Sequence, residues 1–570
     1  MINWCNKIRI PTLLLNLCYC TFIDCLSSPL QKNCYSKLFM NKKIAFPLFL
    51  ALAVMIGIMI GLKINREARF NKPFLFNYHP DKYQTILNFI SANYVDSVDA
   101  SKIGEHGYEE VMQQLDPHSN YISAKDYNLV NEPLQGNFKG VGIEFFIVND
   151  TVMVINTING GPAEKAGVKK GDKIIKIEDT IIAGKKITSE KIFNKLRGES
   201  NTKVKITVLR NPNHQLKDIT INRGEVDVKS VDVAYMIDAE TGYIKINSFG
   251  QKTYIEFMEN LDRMLNKEGM KKLIIDLRDN GGGYLDAATN ILDELIDENK
   301  TLVYTKGRAR SRHDYKCTKD GMFEHGKIAL LVDEGSASAS EIVAGALQDW
   351  DRASIIGRRT FGKGLVQEEY QLKDGSAIRI TVARYYTPSG RCIQKPYGKG
   401  ISDYSMEIYK RYKHGEFLHA DSIHFADTVK YYTAHGKVVY GGGGIKPDYF
   451  VPADTNGINA VSSECLNKGF VQQFAYDWAN DNSTLFNTFV DYKDFAKRFN
   501  FSAAQYASFI QYASKKGVKN TSSKLTADAA AYLQNQLKAF IAKAKWGSKG
   551  YYFVVQQQDP AFQKALQVLK

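Results

Sequence analysis

Beyond residue 34 the chain carries only three cysteines, Cys317, Cys392 and Cys465, and no Cys-x-x-Cys pair. A disulfide framework, a thiolate metal site and a dithiol redox centre are thereby excluded for the folded body. His-Glu-x-x-His is absent, as is Gly-x-Ser-x-Gly, so the signatures of zinc proteases and α/β-hydrolases are missing. No histidine is placed for a Ser/His/Asp triad; His118 sits at a helix end and reads as structural. The formal charge is +14, yet the lysines are spread out and no block of five cations occurs. A nucleic-acid partner is not expected, and the excess reads as solubility and attraction to a membrane surface. No metal and no cofactor is expected.

One long apolar run exists. Residues 44–62 are 19 uncharged positions between Lys42 and Lys43 on one side and Lys63, Arg66 and Arg69 on the other, long enough to span a bilayer. No obvious small-x-small cleavage site follows, so 40–63 is expected to be a retained signal-anchor transmembrane segment. Cations flank both ends, but Lys42 and Lys43 ordinarily keep the short tail inside. The expected location is therefore the bacterial cell envelope, anchored in the inner membrane with the body in the periplasm. Met40 reads as an export start, and 1–39, with Cys5, Cys18, Cys20, Cys25 and Cys34, reads as a non-native extension.

With 570 residues, 44% hydrophobic and 24% charged, the chain can form several cores, and its length suits about three or four domains. Helical spacing from Asp81 to Tyr127 (Ile86, Phe89, Ile90; Val111, Met112, Leu115) marks a helical arm within 64–137, inside which Leu115-Asp-Pro-His-Ser119 marks a helix end. Short alternating strands with one helix fill 138–224, at Thr151 to Ile155, Lys173 to Ile177 and Lys203 to Leu209. Buried strands alternating with helices fill 225–455, an α/β pattern. Helical spacing returns over 456–570, where Ser502 and Asp559-Pro560 mark helix starts.

In the small module, Gly140, Val141, Gly142 and Ile143 lead into Glu144-Phe-Phe. Glycines there let backbone N–H groups converge on a carboxylate while the next strand edge stays free for pairing. With Gly161-Pro-Ala-Glu-Lys-Ala-Gly-Val168 and Gly171-Asp172, the module resembles a PDZ domain that reads chain termini. A PDZ-like domain that only packs against its neighbour is the plainer alternative.

Three segments of the α/β region can build an active site. Ile328 to Val332 reads as a buried strand, and Asp333-Glu-Gly-Ser-Ala-Ser-Ala-Ser-Glu341 leads into a small-residue helix. A serine at that turn meets unpaired N–H groups and positive potential, with Ala339 N–H as one oxyanion donor. The plain reading makes Ser336, Ser338 and Ser340 ordinary caps. Lys272 to Gly283 is a strand ending in a glycine turn, where Gly281 or Gly282 offers the second donor. Gly357-Arg-Arg-Thr-Phe-Gly-Lys-Gly364 nearly matches a phosphate loop, but Gly364 replaces the metal-binding hydroxyl and a strand-like Leu365 to Leu372 replaces the helix. Lys363 between two glycines suits a desolvated base instead, with Gln367 to orient its amine. Most lysines are merely solvated, so this role depends on the neighbouring segments.

Together, the Leu-Asp-Pro-His-Ser stretch, the PDZ-like module, Leu277-Arg-Asp-Asn-Gly-Gly-Gly283, Gly335-Ser-Ala-Ser-Ala-Ser-Glu341, Phe361-Gly-Lys-Gly364 and Gly444-Ile-Lys-Pro-Asp448 resemble the carboxyl-terminal processing peptidases. The resemblance covers about residues 83–451. It implies Ser338 as nucleophile, Lys363 as base and Gln367 beside it, with oxyanion donors from the glycine turn and Ala339. Glu341 and Asp349 match positions whose roles stay open. It also implies a crotonase-like or Clp-protease-like α/β core with an inserted PDZ domain, an N-terminal helical arm and a C-terminal helical tail. The expected partners are protein substrates with exposed C-terminal tails and the membrane, and a homo-oligomer is left open. The alternative function is a catalytically silent adaptor that binds protein C-termini.

Overall fold

The computed structural model describes residues 50–59 and 82–570, apart from 149, 211–214, 298 and 520–524. The expected extension 1–39 lies outside the described residues, as does the expected anchor except for 50–59, which is helical. Among the described residues no helix is long and apolar enough to cross a membrane. The described residues divide into two units at Ala100. The first contains the helix Lys82–Asn93. Everything below concerns the second, Ser101–Lys570.

The PDZ-like module is an antiparallel sheet in the order Ile143–Val148, Thr151–Thr157, Lys173–Ile177, Lys203–Arg210, Gln215–Asn222. Alternation decides which face is buried: Val204, Ile206 and Val208 point inward while Lys203 and Lys205 face solvent. Thr188 caps the helix Ser189–Leu196, whose Ile192 and Leu196 close the core.

The larger core is a sheet in the order Val231–Met236, Thr241–Ile246, Lys272–Asp276, Lys327–Val332, Ala353–Gly357, Tyr449–Phe450. All neighbours after the first pair are parallel. Its central strands are unbroken Leu/Ile/Val/Ala runs because both faces are covered. On one face lie Thr253–Asp262, Leu285–Leu292 and Ala339–Asp349. On the other, the last helix, Pro560–Leu569, packs Phe562, Ala565 and Leu569 against Tyr243, Ile274 and Leu331. Three adjacent parallel strands therefore deliver Leu277–Gly283, Asp333–Ser338 and Arg358–Gly364 to the same edge, where ligands bind in open α/β sheets.

A second sheet carries the hairpin Leu365–Gln371 and Ala377–Tyr386, and Asn120–Ile122 pairs antiparallel with the latter. Sequence spacing had marked the region before residue 138 as helical; the strand Asn-Tyr-Ile is too short to show an alternation and owes its conformation to its partner.

The C-terminal helices share an aromatic core that includes Phe470, Phe495, Phe499 and Phe509. Ser502 and Asp559 cap helices there, as their sequence context predicts. The long helix Ala527–Gln556 is broken at Gly547, at φ 66° and ψ −154°. Before the break Lys543 pairs with Glu144 at 2.8 Å, and Met153 and Ile155 of the PDZ sheet join the aromatic core. After it Ser548 bonds Asp232 at 3.0 Å, and Gln556 accepts from Tyr235.

Asp349 is structural. Its carboxylate, on the helix Ala339–Asp349, accepts from Arg391 Nη2 at 2.7 Å and from Ser389 N at 2.9 Å, and both members of the ion pair are 1% exposed. Asp349→Ala strands a buried guanidinium and should lower stability by about 3–5 kcal/mol. The expected reading is a lower urea midpoint with an unchanged slope.

Candidate active site

Ser338 stands immediately before the helix Ala339–Asp349 with φ 55° and ψ −114°, outside the helical region. A non-glycine residue held there costs about 1–3 kcal/mol and persists only where its surroundings over-determine it. They do so here. Ser336 Oγ donates to Leu277 O at 2.8 Å, Ser340 Oγ donates to Asn280 O at 2.8 Å, and Ala337 N donates to the same carbonyl at 3.0 Å. Two of the three serines thus rivet the turn to the glycine segment, while Ser338 lines a cavity.

Glu341, fully buried one turn into the helix, joins this segment to the lysine loop. Its Oε2 accepts from Ser338 N at 2.9 Å and Lys363 N at 2.8 Å; its Oε1 accepts from Gly362 N at 2.7 Å and Thr360 Oγ1 at 2.5 Å. Burial pushes its carboxyl up even against these donors. Tyr385 Oη makes a second bridge, 2.7 Å from Lys363 O and 3.1 Å from Ser338 O. The two main chains are therefore clamped from both sides. The resemblance leaves the role of Glu341 open, although Ser338-x-x-Glu341 is a capping-box pattern readable in sequence. Tyr385 carried no such signal.

Lys363 is partly buried and makes no ion pair among the described residues. Burial and the nearby Arg379 push its amine down, while Glu341 and Asp116 pull the other way. Gln367 lines the same cavity, but its amide donates to Thr381 Oγ1 at 3.3 Å and not to Lys363. Thr381 N in turn donates to Ser119 Oγ at 3.1 Å, and Ser119 Oγ donates to Asp116 Oδ2 at 2.6 Å. The Leu-Asp-Pro-His-Ser stretch thus supports the strand opposite Gln367. His118 lies 2.9 Å from Tyr404 Oη and is pushed down to about 4, by burial first and then by Lys363. This histidine therefore stays neutral beside the lysine at ordinary pH.

The glycine turn closes the site. Gly281, Gly282, Ser338, Lys363, Gln367 and Arg379 line one cavity of about 570 Å3. A Cβ on Gly282 would stand 2.6 Å from Ala337 O and 2.8 Å from both Ala339 N and Ser338 Cβ, so only glycine fits there, at φ +97°. Of the two candidate donors, Gly282 N already donates to Asn280 Oδ1 at 2.9 Å. Gly281 N–H has no hydrogen-bond partner among the described residues.

Gly140, Val141, Gly142 and Ile143 do not line that cavity. Val141 O and Gly142 O accept from Ala163 N at 2.8 Å and Ile158 N at 3.0 Å, which pins the loop, and Gly142 has φ +74°. The strand Ile143–Val148 pairs on one side only among the described residues, with Phe145 and Phe193 rings 5.2 Å apart beside it. An unpaired edge next to a helix that offers an apolar side chain is the arrangement that takes up an extended peptide as an added strand.

Comparison with known proteins follows the same division of the chain. Residues 240–403 match the model of peptidase family S41, 140–222 match the PDZ domain, and 462–547 match a family of unknown function (DUF8443). A probable CtpA-like serine protease of Staphylococcus aureus (strain N315) is 35% identical over 324 residues, 56% of this chain and 63% of that protein. This chain thus spans less than two thirds of that relative's length. A carboxy-terminal-processing protease of Bartonella bacilliformis is 36% identical over 327 residues, 56% of this chain and 73% of that protein. Among solved structures, the photosystem II D1 C-terminal processing protease is 24% identical, covering 65% of this chain and 92% of its own, at a TM-score of 0.33. The chain belongs to peptidase family S41, among the relatives of the carboxy-terminal-processing proteases.

Proposed function

We propose that this chain is a serine endopeptidase that captures protein C-terminal tails through its PDZ module and hydrolyses peptide bonds with a Ser338/Lys363 dyad. The observation that carries the proposal is the double clamp: Glu341 binds the N–H groups of Ser338 and Lys363, and Tyr385 lies within hydrogen-bond distance of their carbonyls. Both side chains line one cavity, and the Lys363 amine makes no ion pair among the described residues.

In this reading the neutral Lys363 amine accepts the Ser338 proton as the hydroxyl attacks a carbonyl carbon, and the new oxyanion is met by Ala339 N–H and Gly281 N–H. Lys363 then returns the proton to the leaving amine, and water, deprotonated by the same amine, releases the acyl group. Gln367 lines the same cavity as the base, with its amide on Thr381, and is assigned to the cleft wall. The free strand edge after Gly140–Ile143 supports tail capture, with backbone pairing for affinity and apolar pockets for specificity. The helix-covered parallel sheet supports reading 225–455 as a crotonase-like or Clp-protease-like core between a helical arm and a helical tail. The apolar run 44–62 supports a membrane anchor with the body in the periplasm.

The direct test uses an unfolded protein ending in apolar residues. The parent should shorten it, and Ser338→Ala and Lys363→Ala should each lose at least about 100-fold in kcat while staying folded. Equal cleavage by parent and Ser338→Ala would remove the dyad; binding without cleavage by the parent would favour the silent adaptor.

The pH profile is a second test. Only the uncharged amine can accept a proton, so kcat/KM should rise with pH through one deprotonation below the ordinary lysine value of 10.5. Arg379→Gln removes a cation that disfavours protonated Lys363, so the rising limb should move to higher pH.

Gly282→Ala forces a methyl against the Ala337 carbonyl. A fall in kcat with the fold retained is expected, measured by the same assay alongside thermal melting.

A further inference from the structure

The glycine turn is held from the far end of the sequence. Arg278, two residues before Asn280, donates through Nε and Nη2 to Asp276 at 3.0 and 2.6 Å, and through Nη1 to Asp559 Oδ2 at 2.6 Å. Asp559 is the cap of the last helix: its other oxygen accepts from Ala561 N at 2.9 Å and Phe562 N at 3.2 Å. Lys245 lies 3.5 Å from Asp276 Oδ1 and donates to the carbonyl of Arg278.

These are two carboxylates and two cations, and Asp276 and Lys245 are buried. Without Asp559 the cluster keeps one cation in excess beside a chain segment whose next residues form the turn. Burial opposes ionisation of Asp276, but Arg278 and Lys245 overcome it and hold that carboxyl well below its usual range. Asp276 is therefore committed to its charge, and among the described residues Asp559 is the charged partner that comes from outside the α/β core. From Arg278 the connection to the site is short and runs through hydrogen bonds. Asp279 N donates to Asp333 Oδ1 at 2.9 Å, Asn280 O accepts from Ala337 N at 3.0 Å, and Gly282 N is held by Asn280 Oδ1 at 2.9 Å.

We propose that Asp559 is a positioning residue for the glycine turn, acting through Arg278 to hold the Gly281 N–H opposite Ser338. The C-terminal helical region then contributes to the reaction itself as well as to the core. This inference rests on the peptidase reading for its consequence, but not for its mechanics. An oxyanion donor works only at its productive position, and a displacement near 1 Å can cost about 100-fold. The loss should fall on kcat and leave KM nearly unchanged, because the ground-state carbonyl needs that donor less than the oxyanion does.

The test compares the full chain with Asp559→Ser, Asp559→Asn and Asp559→Glu. Serine and asparagine preserve the helix cap, but serine cannot reach Arg278 and asparagine brings no charge. Glutamate brings the charge with a longer reach. Amide hydrogen exchange over residues 277–283 should accelerate by about tenfold or more in Asp559→Ser while the rest of the sheet keeps its protection. Under steady-state cleavage of the unfolded substrate, kcat should drop about 10- to 100-fold in Asp559→Ser, less in Asp559→Asn, and recover in Asp559→Glu, with KM within about twofold.

Unchanged exchange in the turn overturns the inference whatever the activity. So does uniform loss of protection with a lowered melting temperature and no recovery in Asp559→Glu, which would make Asp559 a cap and nothing more. A parent that cleaves nothing, in a series where exchange in the turn still rises, removes the peptidase reading and leaves the positioning role standing.

Discussion

A single buried carboxylate sets the terms for this structure. Glu341 has no access to water, so its charge must be satisfied entirely by donors that the fold brings to it. Four are supplied, and they come from two chain segments: the mouth of the helix that begins at Ala339, and the loop Thr360–Lys363. Neither segment can shift alone without stranding part of that carboxylate. The strained backbone of Ser338 is held by this constraint, and the lysine that the loop carries is kept in a partly dry position.

The placement of those segments comes from topology. Parallel strands end on the same side of a sheet, and Lys272–Asp276, Lys327–Val332 and Ala353–Gly357 are neighbours. A second sheet then adds Gln367, Arg379 and Tyr385 from one hairpin. The site is thus a junction of two sheets, and its electrostatic character differs on the two sides. At Lys363 the cation Arg379 acts against the carboxylates Glu341 and Asp116, and the imidazole of His118 nearby stays uncharged. On the glycine side the charges are paired and buried behind the turn.

Much of this was legible before any coordinates. Unbroken Val/Ile/Leu runs gave the parallel strands, and strict alternation gave the antiparallel ones, because burial on two faces and on one leaves different patterns. Ser338 at a strand-to-helix turn and Lys363 between glycines were both visible as unusual positions. What sequence could not supply was the partner of a partner. Nothing in Tyr385 distinguishes it from its neighbour Tyr386, and nothing local ties Arg278 to a residue 281 positions away. The partner that Gln367 takes in this structure was hidden for a related reason: its side chain finds Thr381 across the hairpin, a pairing set by register. Gly282 illustrates a finer limit, since the sequence shows that glycine is permitted there but not that its N–H is already bonded within the turn.

The break at Gly547 separates the part of a helix that grips the PDZ module from the part that grips the larger sheet. A Cβ at that position would meet no other atom, so crowding does not dictate the glycine; only the handedness of its backbone does. The direction in which the helix continues from one contact to the other is accordingly written into one pair of torsion angles. A residue unable to hold those torsions would turn one contact of the helix away from the other.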